Sequence, residues 1–249
     1  MEQEQAREDH DPITALRLYV DRWAAVSPDL DSREAWIAWA HGHDLPPNPG
    51  SSLAPLPTIL RRRVTPVGQL IFRAAQQLVI PANTRFIFAS RHGEFQRSLK
   101  ILEALAANEP VSPAEFSLSV NNALAGLLSI AWRNRAGHTT IAAGTDSFRS
   151  GLIEAAACLI ERPDEPVLLA YFEDRLTAPY DEIADSDETA LGLALLLSST
   201  TDGADNIMIG LNSTPAIHRE SASDQALAFL RFLLTEADAD PTRRWWRCG

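Results

Sequence analysis

The chain has 249 residues, 45% of them hydrophobic, which is enough apolar material for a large buried core. Its 33 acidic residues outnumber its 22 basic residues, and the net charge of −11 disfavours nucleic acid and anionic membranes as partners. Only two cysteines occur, and no apolar run is long enough to span a bilayer. The composition predicts a cytoplasmic protein that binds another protein or a small molecule, and nothing in it indicates a metal or a cofactor.

The N-terminal part of the chain predicts one strand, one helix and a long loop. The first 14 residues are acidic and polar and predict a disordered leader, whereas residues 15–249 predict a single domain. Alternating apolar residues predict an entry strand over residues 16–26. Asp31, with an acidic residue three positions later, is typical of a helix N-terminus, and the proline-rich stretch 46–57 predicts a surface loop.

Helical and strand periodicities alternate along the rest of the chain. Helices are predicted over residues 66–78, 95–107, 119–132, 150–161, 187–197 and 221–236, and strands over residues 85–89, 139–143, 167–172 and 206–210. The continuous apolar run 167–172 is typical of a strand that is buried on both faces. This alternation predicts an α/β fold in which helices cover a mixed sheet.

Four segments, in this order, carry a resemblance to a known family. Residues 18–28 read LYVDRWAAVSP, residues 112–130 read SPAEFSLSVNNALAGLLSI, residues 137–148 read GHTTIAAGTDSF, and residues 167–170 read VLLA. They resemble the corresponding segments in the N-terminal half of the thiolase-like β-ketoacyl synthases, and the third resembles the strand and turn that carry the nucleophile. The resemblance implies a layered α/β/α domain with a mixed sheet.

In this alignment the catalytic cysteine of the family falls on Asp146 or within one residue of it, that is, on Thr145 or Ser147, and none of the three is a cysteine. A ketosynthase needs a thiolate at a helix N-terminus, where backbone N–H groups lower its pKa and stabilise the oxyanion. The resemblance therefore implies a chain that is catalytically inactive. We expect the Asp146 carboxylate to cap the helix that contains Gly151 and so to fill the oxyanion site.

A half-length chain without the nucleophile is similar to the small chain-length-factor subunits of type II polyketide systems, especially those that make aryl polyenes. That resemblance implies a heterodimer with an active ketosynthase, on which an acyl carrier protein mainly docks. It also implies an acyl tunnel whose end wall limits the chain length sterically. The candidates for this wall or its support, each of which ordinary core packing also explains, are Phe95, Leu99, Phe116, Val120, Leu124 and Phe148.

The resemblance also places residues 139–148 at the interface between the subunits. Arg91 and Glu94 are candidates for salt bridges across that interface. Asn122, four residues before Gly126, is expected to be buried and to hold the nucleophile-equivalent loop by hydrogen bonds. The strand residues through which the sheet would continue into the partner are Thr139, Thr140 and Ile141.

Two enzymatic alternatives remain open beside this interpretation. Arg91-His92-Gly93-Glu94 follows a predicted strand and resembles the opening signature of the histidine phosphatases, in which the histidine is phosphorylated and the arginine binds phosphate. That family also uses a second, late histidine, for which no matching motif is evident. Ser147 as a hydrolase nucleophile would need a His/Asp pair, and the sequence identifies none.

Overall fold

A computed structural model describes residues 16–45, 57–183, 189–200, 207–211 and 222–235. The predicted leader and nearly all of the proline-rich loop lie outside these residues. The helices are α1 (Arg33–Ala40), α2 (Thr58–Arg61), α3 (Pro66–Gln76), α4 (Phe95–Ala106), α5 (Pro113–Leu118), α6 (Ala123–Ala131), α7 (Ser147–Glu161) and α8 (Ala222–Thr235). The strands are β1 (Leu16–Val26), β2 (Arg85–Ala89), β3 (His138–Ile141), β4 (Val167–Glu173), β5 (Leu191–Ser198) and β6 (Ile207–Leu211).

The six strands form one sheet in the order β3-β2-β4-β5-β1-β6. β3, β2 and β4 are parallel to one another, whereas β4 with β5, β5 with β1 and β1 with β6 are antiparallel. The sheet is therefore mixed, as the sequence predicts. β4 lies near its centre and is buried along its whole length, in agreement with the continuous apolar run that predicted it.

Helices cover the sheet on both faces and complete an α/β/α arrangement. α1, α7 and α8 pack on one face, where Leu152 and Phe229 belong to the core. α3 and α6 pack on the opposite face around Phe72. Because successive strand residues point to opposite faces, Ile87 enters the first core and Phe88 the second. None of the described helices is long and apolar enough to cross a membrane.

The predicted helix over residues 187–197 is wrong from Leu191 onward, where the structure forms β5, while residues 187 and 188 lie outside the described residues. This segment is rich in leucine, which favours helices, but it has no polar face. Between β4 and β1 it buries both faces, and a strand satisfies its backbone groups through two neighbouring ladders. Gly192 lies where α3 crosses β5, and a Cβ atom there would be 2.6 Å from the backbone nitrogen of Ile71.

Three helix boundaries also differ from those predicted. The helix predicted over residues 119–132 begins only at Ala123, as α6, and residues 119–122 form a turn that follows the separate short helix α5, which was not predicted. α1 is capped by Ser32 rather than Asp31, since the Ser32 hydroxyl accepts a hydrogen bond from the Ala35 N–H at 3.1 Å. α7 begins at Ser147, three residues before its predicted start.

Candidate functional site

The candidate site lies at one edge of the sheet. β2, β3 and β4 are parallel, so their carboxyl ends meet at that edge. The turn that carries the nucleophile-equivalent position follows β3, and the Arg-His-Gly-Glu segment follows β2. α4 and α5, which contact each other, continue the chain after the β2 turn, and α6 contacts β3. The two turns that carry predicted site residues therefore lie at the same edge of the sheet.

The turn before α7 is held together by the hydroxyl of Ser147. This oxygen accepts a hydrogen bond from the Ala143 N–H at 3.0 Å and donates one to the Gly144 carbonyl at 2.7 Å. Ser147 is fully buried. Gly144 has a positive φ of 62°, a conformation that glycine adopts without strain. The Ser147 hydroxyl serves the turn, so the structure does not support a role as hydrolase nucleophile.

Asp146 occupies the N-cap position of α7, but its side chain makes no capping hydrogen bond. The predicted carboxylate cap is therefore wrong. A 3-10 turn over Gly144–Asp146 leads directly into the helix, and the Asp146 backbone (φ −88°, ψ 13°) lacks the extended conformation of a capping residue. The carboxylate is exposed, and its Oδ1 accepts a hydrogen bond of 3.4 Å from the Gln225 amide on α8. Thr145, the preceding residue, is partly buried.

No cysteine is available in this turn. The chain has cysteines only at positions 158 and 248, and the second lies outside the described residues. Cys158 is inside α7, about three turns beyond Asp146. Burial raises the pKa of the Cys158 thiol, which is the opposite of what an activated nucleophile requires. Cys158 is therefore not a substitute for the missing thiolate.

The turn after β2 is built around a buried carboxylate that the sequence did not single out. Glu173, at the end of β4 and 1% exposed, accepts hydrogen bonds from the backbone N–H groups of Arg91 at 2.7 Å and His92 at 3.1 Å. The Ser90 hydroxyl accepts another from the Gly93 N–H at 2.7 Å. A phosphatase would direct such N–H groups at its substrate phosphate, whereas here an internal carboxylate occupies two of them. The geometry therefore gives no support to the phosphatase alternative.

Glu94 does not have the predicted role in a salt bridge across the subunit interface. Its side chain is buried and pairs within the chain with Arg97, whose Nε lies 3.1 Å from Glu94 Oε2. Glu94 Oε1 accepts a hydrogen bond of 2.7 Å from the Thr65 hydroxyl. Sequence reasoning missed this network because Thr65 and Glu94 are 29 positions apart. Arg91 is partly buried, and its expected role at the interface stays a prediction.

The six wall candidates do not form one surface. Leu124 and Phe148 are core residues on opposite faces of the sheet, so they support the fold rather than a common wall. Phe95 is partly buried on α4, where its ring lies 5.2 Å from that of Tyr180, and Leu99 is also partly buried. The exposed members, Phe116 at 63% and Val120 at 48%, follow one another on and after α5.

Further exposed apolar side chains lie on α4 and α6, the helices that contact α5. We define the α4–α6 apolar surface as the exposed side chains of Leu102, Leu105, Phe116, Val120 and Ile130. Sequence reasoning stopped at Leu99, although Leu102 and Leu105 extend the helical stripe that Phe95 and Leu99 begin. Exposed apolar side chains grouped on neighbouring helices are typical of a protein–protein contact.

The remaining interface candidates divide between two elements. Asn122 is exposed and makes no capping hydrogen bond, so the prediction of a buried Asn at this position is wrong. The break between α5 and α6 directs Asn122 outward, whereas the Asn121 side-chain oxygen lies 3.4 Å from where a Cβ on Gly93 would be. Gly126 has open space around it. The partly buried residues of the sheet edge are Thr139, Thr140 and Ile141.

A shallow pocket opens where β2 and β4 end. It is lined by residues that follow these two strands, among them His92, Phe95 and Asp174, and by Thr65 and Val67 at the start of α3. Burial raises the pKa of Asp174, while a hydrogen bond from the Arg175 N–H opposes that shift. Within the described residues no three or more His, Cys, Asp and Glu side chains are grouped so that they could hold a metal ion.

Comparisons with known proteins relate this architecture to one family. A family model for the β-ketoacyl synthase N-terminal domain matches residues 36–247, whereas no curated protein matches the chain. The structure of the ketosynthase ApeO in complex with its chain length factor ApeC, from Xenorhabdus doucetiae, contains a chain that is 26% identical. That similarity has a TM-score of 0.70 and covers 87% of this chain and 91% of the other.

Two further structures share the fold at lower identity. They are the ishigamide ketosynthase/chain length factor, with 19% identity and a TM-score of 0.55, and AntDE:AntF, a type II acyl-carrier protein with its ketosynthase, with 14% and 0.55. The alignments cover 72% and 73% of this chain, and 61% and 62% of the chains it resembles. This chain therefore spans about three fifths of those two proteins and nearly all of the first.

Proposed function

The chain belongs to the family of β-ketoacyl synthase N-terminal domains, and from this premise we propose that it is a non-catalytic chain-length-factor subunit of an aryl polyene type II polyketide system. The proposal rests on the turn before α7, where the sequence resemblance aligns Asp146 with the family's nucleophile and where the turn has no cysteine. A carboxylate does not accept and transfer an acyl chain as a thiolate does. The adjacent Ser147 hydroxyl is buried and hydrogen-bonded within the turn. The chain therefore depends on a partner for the condensation chemistry.

The similarity to the ApeO–ApeC complex supports an accessory subunit. The alignment covers nearly all of both chains, so the matched chain is about as short as this one. In that complex a ketosynthase is bound to its chain length factor. By analogy, the partner of this chain is an active ketosynthase, and the two subunits work together in the cytoplasm. With a net charge of −11, this chain leaves the docking of an acidic carrier protein mainly to the ketosynthase.

The sheet edge formed by β3 is the first element of the proposed pairing surface. The carbonyls of Gly137 and Ile141 accept hydrogen bonds from β2, so strand alternation directs the backbone groups of Thr140 away from the sheet. An edge strand with outward backbone groups can pair with a strand of another chain. β3 therefore offers a strand on which the partner extends the sheet.

The α4–α6 apolar surface is the second element of the proposed pairing surface. α6 contacts β3, and α5 contacts both α6 and α4, so the helices that carry these apolar side chains are linked by contacts to the strand at the sheet edge. Phe116 and Val120 would project toward the partner, with Phe95 and Leu99 behind them on α4. Overpacking an apolar tunnel costs about 1–3 kcal/mol, so side chains at this position would stop elongation sterically.

The test is co-expression with the ketosynthase encoded beside this chain, followed by affinity purification and native mass determination. We expect a one-to-one complex. Phe116→Glu should weaken it by at least about 100-fold, because the pairing would bury an unpaired carboxylate. Ile160→Glu is the matched control, since Ile160 is 64% exposed against 63% for Phe116 but lies on α7, across the sheet.

The outcomes separate the proposal from its rivals. If no complex forms with the unaltered chain, or if the purified chain alone condenses acyl substrates, the proposed function is wrong. If Ile160→Glu disrupts the complex and Phe116→Glu does not, the chain pairs through a different face.

A further inference from the structure

A buried arginine links the helices of the proposed wall to the rest of the fold. Arg97, in the first turn of α4, is only 5% exposed. Its Nε lies 3.1 Å from Glu94 Oε2, and one terminal nitrogen lies 2.6 Å from Glu115 Oε2. The other terminal nitrogen donates a hydrogen bond of 2.9 Å to the Arg63 carbonyl. All three guanidinium nitrogens are therefore engaged, and each one contacts a different residue.

The partner carboxylate Glu94 extends the same network to α3. Its Oε1 accepts a hydrogen bond from the Thr65 hydroxyl, which in turn caps α3 by accepting from the Gly68 N–H at 3.3 Å. Burial raises the pKa of Glu94, and the hydrogen bonds from Thr65 and Arg97 oppose that shift. A buried ion pair contributes little net stability, because desolvation offsets the Coulomb attraction. The role of this pair therefore lies in the geometry that it fixes.

The element that depends most on Arg97 is α5. This helix has six residues and none of them is fully buried; its apolar anchor is Leu118, which is partly buried and packs against the core at the end of the helix. Its N-terminus is capped by the Ser112 hydroxyl, which is local to the helix. The Arg97–Glu115 contact instead ties α5 to the buried pair, across 18 positions of sequence. Glu115 immediately precedes Phe116, the most exposed aromatic side chain of the α4–α6 apolar surface.

We propose that Arg97 is a positioning residue that sets the place of α5, and therefore of Phe116 and Val120, relative to the partner's acyl chain. The inference rests on the proposed function and adds to it a residue that does not touch substrate. A charge-assisted contact between a buried guanidinium and a half-exposed carboxylate holds the helix in one position. Without it α5 samples several positions, and the wall stops elongation at several chain lengths.

The sharpest variant is Glu115→Ala, because it removes the contact to α5 and leaves the buried Arg97–Glu94 pair intact. Substituting Arg97 itself would leave Glu94 buried without its cation and risks unfolding the chain. Glu115→Gln is the conservative variant, since the amide oxygen still accepts from Arg97. Glu165→Ala is the matched control: its side chain is 34% exposed against 38% for Glu115, and it pairs with Arg162 on the surface.

The experiment uses the co-purified complex and measures its stoichiometry, its melting temperature and the length distribution of its products. We expect Glu115→Ala to raise the amount of minor-length products, relative to the product of principal length, about fivefold. The complex should stay intact and its melting temperature unchanged. Glu115→Gln should restore most of the wild-type distribution, and Glu165→Ala should match it throughout. Loss of pairing in Glu115→Ala alone, restored in Glu115→Gln, also supports the inference, because the same contact presents α5 to the partner.

Two results would overturn the inference while the proposed function stands. The first is a wild-type product distribution from the Glu115→Ala complex. The second is loss of pairing in both Glu115 variants, because the glutamine keeps the acceptor. Failure of the unaltered chain to pair at all would instead refute the proposed function.

Discussion

Substitution of Gly192 by alanine tests the part of the fold that the sequence predicted wrongly. Gly192 belongs to β5, where it pairs with Val26 on one side and Phe172 on the other. α3 crosses this point, and a Cβ atom would lie 2.6 Å from both the Ile71 nitrogen and the Leu70 carbonyl carbon. These are backbone atoms, which cannot rotate away. The substitution therefore forces α3 and β5 apart.

The magnitude follows from the size of that displacement. Non-bonded carbon contacts are favourable near about 3.5–4.0 Å, so α3 has to move by roughly 1 Å. α3 packs tightly on this face through Ile71 and Phe72, both fully buried, and the shift would loosen those contacts. Overpacking of this kind costs about 1–3 kcal/mol, and we expect the upper end of the range. For a chain of this size, about 3 kcal/mol corresponds to a fall in Tm of roughly 6–12 °C.

The assay is thermal and urea denaturation of the full chain, followed by circular dichroism at a fixed protein concentration. Gly126→Ala is the control, because Gly126 lies within α6 and nothing is within 4 Å of its Cβ position. Helix propensity alone should make that variant more stable by about 0.5–1 kcal/mol. If residues 187–197 were helical, Gly192→Ala would also be stabilising. A Tm for Gly192→Ala at or above the wild-type value would therefore refute the strand assignment.

Two further substitutions test buried polar groups. Trp36→Phe removes the indole N–H that donates a hydrogen bond of 2.7 Å to the Ala25 carbonyl. The unpaired carbonyl and the smaller ring should lower the free energy of unfolding by about 2–4 kcal/mol, measured as a lower urea midpoint. An unchanged urea midpoint would contradict this prediction. Asp174→Asn concerns pH. Because burial raises the pKa of Asp174, the folded chain binds this proton more tightly than the unfolded chain, and the ionised form costs stability above that pKa. Asp174→Asn should therefore be more stable than wild type at pH 7, by no more than about 1 kcal/mol because solvent screens a partly buried carboxyl. The difference in stability should disappear as the pH falls through the raised pKa. A difference that does not depend on pH would show that ionisation of Asp174 is not its cause.

The sequence was sufficient to predict those elements in which the pattern of buried residues and the residues' own helix or strand propensity indicate the same structure. β4 was predicted correctly because it combines β-branched and aromatic residues with a position buried on both faces. β5 has the same burial but consists largely of leucine, and its strand conformation comes from pairing with β1 and β4. That pairing is a long-range property which no local pattern contains. α7 was found, although its first turn was missed because the Ser147 hydrogen bonds begin it earlier.

The candidate site was predictable where alignment to a family fixes the register, and less so where side chains meet across the fold. The position of Asp146 at the start of α7 was found, but its capping role was not, because capping depends on backbone dihedral angles. The buried roles of Glu94 and Glu173 were missed for a related reason. Their partners Thr65 and Arg91 are 29 and 82 positions away, beyond any helical or strand period.

The carboxylate of Glu173 has a consequence for the thermodynamics of association. Together with the Ser90 hydroxyl it fixes the turn between β2 and α4 from inside the molecule, through three backbone N–H groups. The conformational entropy of that turn is therefore lost when the chain folds and is not lost again when a partner binds. A neutral residue at Glu173 would shift that entropic cost to the moment of association, so the complex would weaken even though the substituted side chain never touches the partner.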